Sequence, residues 1–209
     1  MGAFYQATLA EFLADDPARI IGCLSTGNQH NELQKQQIRA WDREIDVIKS
    51  ASSDLIRLAP SAINWTLLLE YPIPRRHKRL DAVLLAADII FCLEFKTEDK
   101  AHSLQPQRQV EDYALDLRDF HEASRDRRIV PVVVVPKAAQ AENSSTRTPA
   151  DAVRDVCLAN AADLAQILLA EFEAEHSPES FPIGPTAWNN SPYHPVPTII
   201  EAAEALFAG

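Results

Sequence analysis

The sequence predicts an α/β fold in which a helix, three consecutive strands, a second helix and a fourth strand build a mixed central sheet flanked by helices. Three observations predict it. Apolar residues recur at helical spacing within residues 32–58. Residues 79–96 hold two runs rich in β-branched and aromatic side chains, separated by a short break at Ala87-Asp88, which reads as a hairpin. Residues 129–135 are apolar throughout, as suits a strand buried on both faces beside a parallel neighbour.

Taken in order, residues 1–31 predict an N-terminal helix and a loop. The helix spans residues 3–15, with Phe4, Leu9, Phe12 and Leu13 on its apolar side and Pro17 beyond its end; residues 22–31 are the loop. The main domain is expected over residues 32–176. Its first helix carries Ile38, Trp41, Ile45 and Ile48 at spacings of three and four, and Glu44 borders that apolar face. Residues 63–71 read as a strand ended by Pro72 and Pro74, and the hairpin follows. A helix over residues 107–124 turns Val110, Tyr113, Ala114, Leu117 and Phe120 to the core. Pro131 implies that the strand at 129–135 enters the sheet late or has one exposed edge. A polar linker (138–151), a further strand (153–158) and a helix (161–175) complete the domain. Residues 177–209 comprise an ordered arm or interdomain linker, with six prolines between Ser177 and Pro197, and the start of another helix at 198–208.

Composition bounds the function. The 209 residues fit one domain with appendages or two small ones, and 46% hydrophobic with 24% charged residues is ordinary globular usage. A formal net charge of −10 argues against indiscriminate coating of nucleic acid while permitting a local basic site. The five glycines make no phosphate loop or dinucleotide fingerprint. Cys23, Cys92 and Cys157 are isolated, so neither a zinc site nor a disulfide framework is indicated, and a reducing, cytoplasmic setting is expected. No apolar run approaches the length of a membrane span, and no targeting segment is evident.

The chemistry concentrates in the hairpin. With the turn centred between Ala87 and Asp88, Asp81 falls opposite Glu94, and like charges so placed ask for a cation between them. Strand alternation puts Lys96 on the face of Glu94 and Phe95 on the other. A register slipped by two residues instead pairs Asp81 with Lys96 as an ordinary salt bridge. The densest basic run, Arg75-Arg76-His77-Lys78-Arg79, immediately precedes Asp81; it reads either as a solvated loop or as a phosphate contact. Gln109 and Tyr113 share one helical face.

Asp81 on the second strand, Glu94-Phe95-Lys96 on the third and Gln109-Val-Glu-Asp-Tyr113 on the next helix resemble the PD-(D/E)xK nuclease superfamily, the restriction-endonuclease-like αβββαβ fold, with the QxxxY motif of its RecB-type exonucleases. Leu80 replaces the proline that precedes the first acid of that pattern. More narrowly, RLDAVLL, FCLEFK, IVPVVVV and SPYHPVPTIIEAA resemble the N-terminal part of uncharacterised bacterial proteins that continue into a P-loop helicase-like domain. The resemblance implies a Mg²⁺- or Mn²⁺-dependent nuclease, DNA being the favoured substrate, possessing a helicase-like domain in cis. Asp81 and Glu94 would be the metal ligands, Lys96 the charge stabiliser, and Gln109 and Tyr113 the orienting pair. Arg75, Arg76, Lys78 and Arg79 would contact phosphates, with Glu44 and Glu70 as additional acids. The rival expectations are a nuclease-like module that binds nucleic acid without cutting it, and a protein-interaction adaptor.

Overall fold

The computed structural model of the chain describes residues 2–25, 33–73, 78–143, 148 and 151–194, excluding the side chains of residues 33–35. In chain order the elements are β1 (Tyr5–Thr8), α1 (Leu9–Ala14), α2 (Pro17–Ser25), α3 (Leu33–Leu58), β2 (Thr66–Ile73), β3 (Lys78–Ala86), β4 (Ile89–Phe95), α4 (Leu104–Phe120), β5 (Arg128–Val134), β6 (Cys157–Ala159), α5 (Leu164–Glu175) and α6 (Pro185–Asn189). The expected order of helix, three strands, helix and strand is therefore α3 to β5.

The strands form one six-stranded mixed sheet in sequence order. Neighbours from β1 to β4 are antiparallel, and β4, β5 and β6 are parallel. The change of sense follows from connection length. Two residues close the β3–β4 turn, whereas the parallel β4–β5 pair requires a crossover, which α4 supplies. One sheet face, through Leu67, Leu84, Phe91 and Val132, packs on Phe12, Ile20, Trp41, Ile45, Leu55 and Leu168 from α1, α2, α3 and α5. The other face, through Leu68, Val83, Ile90 and Val133, packs on Val110, Tyr113 and Leu117 of α4 and on Ile183 and Trp188.

Both strand prolines sit where a missing N–H costs little. Pro72 lies in β2 beyond the stretch covered by β1, so β2 continues through it to Ile73 rather than stopping. Pro131 falls between the Ile129–Val153 bridge and the β5–β6 ladder that begins at Val132, so β6 covers only the later part of β5. The strand expected over 153–158 is accordingly reduced to that bridge and the three residues of β6.

The first 25 residues correct the sequence reading. Residues 5–8 pair with β2 as β1, and the helix starts only at Leu9, where Thr8 and Glu11 form a reciprocal capping box. Pro17 lies beyond the end of α1 at Ala14, as expected, but it also opens α2, which extends through Gly22 to Ser25 in place of the expected start of a loop. Residues 26–32 and the helix expected at 198–208 lie outside the described residues. The proline-rich segment is an ordered arm as far as His194, its Trp188 fully buried. Among the described residues no helix is long and apolar enough to cross a membrane.

Candidate functional site

The β3–β4 ladder runs from Ala86 opposite Ile89 to Ala82 opposite Leu93, so the next level brings Asp81 opposite Glu94. The slipped pairing of Asp81 with Lys96 is not adopted. On the other flank of β3, Leu69 pairs with Ala82 and Tyr71 with Leu80, which puts Glu70 at the level of Asp81. Three carboxylates on three adjacent strands thus share one level.

At this level the sheet departs from simple alternation. Leu69 and Ala82 belong to the core under α3, whereas Tyr71 and Leu80 belong to the core under α4, so β2 and β3 each skip a face at their acid, while β4 alternates regularly through Glu94. Glu70 has φ 52, a left-handed conformation that costs a non-glycine residue about 1–2 kcal/mol. Ala87 shares the sign with φ 53, but it sits in the hairpin turn, where positive φ is ordinary.

Glu94 is the centre of the hydrogen bonding. Its Oε1 accepts from Lys96 Nζ at 2.6 Å and from Gln109 Nε2 at 2.7 Å, and Gln109 Nε2 also lies 3.1 Å from Tyr113 Oη. Gln109 and Tyr113 therefore turn one shared face of α4 toward the acids, although the Tyr113 ring is also core. Glu94 Oε2 is buried and has no hydrogen-bond partner among the described residues. Asp81 is held from within the sheet, its Oδ2 accepting the Phe95 N–H at 2.7 Å. Glu70 is engaged at both oxygens, by Trp41 Nε1 and Arg79 Nε, each at 2.7 Å.

Asp81, Glu94 and Glu44 resist ionisation. Burial, then repulsion from Glu94 and Glu44, raises Asp81 well above the carboxylate range, against the Phe95 N–H and Lys96. Burial likewise raises Glu94, although Lys96 opposes the shift. Glu44, on α3, is pushed up to about 8 by burial and by the charges of Glu70 and Glu94. For Lys96 burial acts downward, but the Glu94, Asp81 and Glu44 carboxylates outweigh it and hold the ammonium form.

A pH dependence follows. The unfolded chain ionises Glu44 near 4.5, while the fold keeps it protonated to about 8, so the folded state binds more protons in that window and loses stability as pH rises through it. In chelator, Glu44→Gln is expected to match wild type in Tm near pH 4.5 and to exceed it by several degrees at pH 8. Parallel Tm curves across that range would show that Glu44 is not the group responsible.

A cleft of about 590 Å³ opens beside the acids, with Glu70, Lys78, Arg79, Asp81, Gln109 and Tyr113 in its wall. A smaller one of about 390 Å³ shares Lys78, Gln109 and Tyr113 and adds Arg108. Arg75, Arg76 and His77 lie outside the described residues, so the basic run is represented by exposed Lys78 and by Arg79, which Glu70 holds.

Among the described residues no group of three or more His, Cys, Asp or Glu side chains is arranged to hold a metal ion. Mg²⁺ asks for less, commonly one or two carboxylates completed by water and substrate phosphate oxygens. Asp81 opposite Glu94 supplies two, and the unpartnered Glu94 Oε2 is an orphaned buried acceptor of the hard type such an ion takes. No family model, curated protein or solved structure matches this chain. Neither the Trp41–Glu70 hydrogen bond nor the left-handed turn at Glu70 was announced by the sequence, because a glutamate carries none of the local signals that glycine or asparagine would.

Proposed function

We propose that this chain is a divalent-cation-dependent nuclease of the PD-(D/E)xK type, hydrolysing phosphodiester bonds in nucleic acid, with DNA the favoured substrate. The observation that supports it most is Glu94: opposite Asp81 across the hairpin, bonded to Lys96 and Gln109, and left with one buried, unpartnered oxygen. Asp81 and Glu94 are the residues that would hold Mg²⁺ or Mn²⁺, which when bound polarises a phosphoryl oxygen and lowers the pKa of a coordinated water.

The chain's own groups have separable parts. The Phe95 N–H fixes the carboxylate of Asp81. Gln109 and Lys96 draw Glu94 Oε1 to one side and leave Oε2 turned away from them, while the Tyr113 hydroxyl restrains Gln109. Lys96 keeps its positive charge beside the phosphoryl group as negative charge develops there. Lys78 and Arg79 in the cleft wall hold the phosphate chain, together with Arg75 and Arg76.

This reading places the protein in a reducing cytoplasm, the setting that three isolated cysteines in the sequence suggest. It also couples the nuclease to a helicase-like domain in cis. A binding module without catalysis is the competing reading, favoured in that no group of three or more His, Cys, Asp or Glu side chains among the described residues is arranged to hold a metal ion. The deciding experiment incubates linear and circular DNA with the protein in Mg²⁺ or Mn²⁺, with Lys96→Ala as control and calorimetry for the cation. Cation-dependent cleavage lost in the control is the expected result. DNA binding with neither cleavage nor cation uptake would establish the binding module instead.

A further inference from the structure

Glu70 lies in the middle of β2, 4% exposed, with φ 52. Strained backbone inside a sheet persists only where its surroundings over-determine it, and such sites cluster around function. Regular alternation from Leu68 would turn Glu70 to the α4 face, the face of Glu94, and crowd another carboxylate against it. The left-handed turn instead hands the carboxylate to Trp41, on the α3 side, although Glu70 still repels Glu94.

There its two oxygens have different tasks. The indole N–H of Trp41 can only donate, and it anchors Oε1 at 2.7 Å. Oε2 takes Arg79 Nε, also at 2.7 Å. The guanidinium carbon of Arg79 lies 4.9 Å from the centre of the Phe4 ring. Arg79 is thus gripped by an acid on one side and backed by an aromatic ring, and it stands in the same cleft wall as Asp81. An arginine fixed in this way meets an anion without first giving up side-chain freedom.

We infer that Glu70 is a positioning residue, held in its strained conformation to present Arg79 to a phosphate of the substrate, with Phe4 as backing. The inference rests on the nuclease reading and adds to it that Glu70 acts through Arg79 rather than on the cation. Each Glu70 oxygen already has a donor, which separates it from Glu94 and its orphaned Oε2.

The test compares wild type, Glu70→Gln, Arg79→Gln and the double variant in steady-state cleavage of a short DNA duplex, with cation affinity measured by calorimetry. Glutamine at position 70 keeps an oxygen for Trp41 and loses the ion pair. Each single variant is expected to raise KM about tenfold with a smaller effect on kcat, and the double variant to match the singles. Cation affinity should stay at the wild-type value. A fall in kcat and cation affinity at constant KM would make Glu70 a cation ligand and overturn the inference. Unchanged or lower KM, or additive effects in the double variant, would overturn it too. If Glu70→Gln does not fold, Phe4→Leu carries the test, with a raised KM in support and an unchanged KM against. A wild type that cleaves nothing removes the nuclease reading, and the inference with it, before any variant is compared.

Discussion

Asp81→Asn and Lys96→Ala should each reduce cation-dependent cleavage by about 100-fold or more, the scale seen when one preorganised electrostatic contact is lost from a reacting centre. The two differ in what they remove. Asparagine at 81 retains an oxygen for the Phe95 N–H but gives up the charge that would bind the cation and that burial and Glu94 already disfavour. Metal-free Asp81→Asn should therefore melt at or above the wild-type temperature. Alanine is a poorer probe, because it leaves a backbone N–H unpaired inside the sheet at a cost of about 1–3 kcal/mol. Lys96→Ala strips Glu94 Oε1 of one of its two donors, so its lost activity should come with unchanged DNA binding in a non-catalytic cation such as Ca²⁺. Wild-type cleavage rates in Asp81→Asn would end the assignment.

Trp188→Ala should lower stability by about 3–5 kcal/mol, as expected for deleting a fully buried indole. The Trp188 ring centre lies 4.8 Å from that of Tyr71, tilted against it, and 4.7 Å from that of His121, edge to face, and its N–H donates to Ser124 Oγ at 2.9 Å. His121 closes the circle. Its Nε2–H donates to the Trp188 carbonyl at 3.0 Å, which leaves Nδ1 to accept from the Ser124 hydroxyl at 2.6 Å. Burial keeps that imidazole neutral by holding its pKa down at about 4. Denaturant unfolding of the variant measures the loss directly. A change under about 1 kcal/mol would mean that the proline-rich arm is an accessory to the fold and not part of its core.

The central elements were legible because each carries a long or unambiguous pattern. Ile38, Trp41, Ile45 and Ile48 could only share a helix face, and the apolar 129–135 run had to be buried on both sides. The hairpin was legible too, but its register was not, since Ala87-Asp88 is no strong turn signal and left Asp81 free to face Glu94 or Lys96; the ladder from Ala86–Ile89 to Ala82–Leu93 decides against the slipped pairing. The misread start has a physical reason. Phe4, Leu9, Phe12 and Leu13 fit a helical stripe, and four residues of edge strand are too few to show a competing alternation. The correcting signals were present in Thr8-Leu9-Ala10-Glu11, a capping box, and in Asp16-Pro17, a helix opening. The grip of Glu70 on Arg79 was not legible, because it depends on a backbone reversal that no residue type at that position announces.

The arm also joins the two ends of the described chain. Asn189 Oδ1 accepts the Ala3 N–H at 2.8 Å and its amide donates to Gln6 Oε1, while a Cβ added at Gly2 would come within 2.7 Å of the same side chain. On a ribosome adding roughly 5–20 residues per second, Asn189 is made on the order of 10–40 s after Ala3. For that interval the first strand has no latch. Edge pairing of β1 is therefore the step most exposed to delay during synthesis, and the acids at the Glu70 level can be assembled on β2, β3 and β4 well before the chain that fastens their border has been translated.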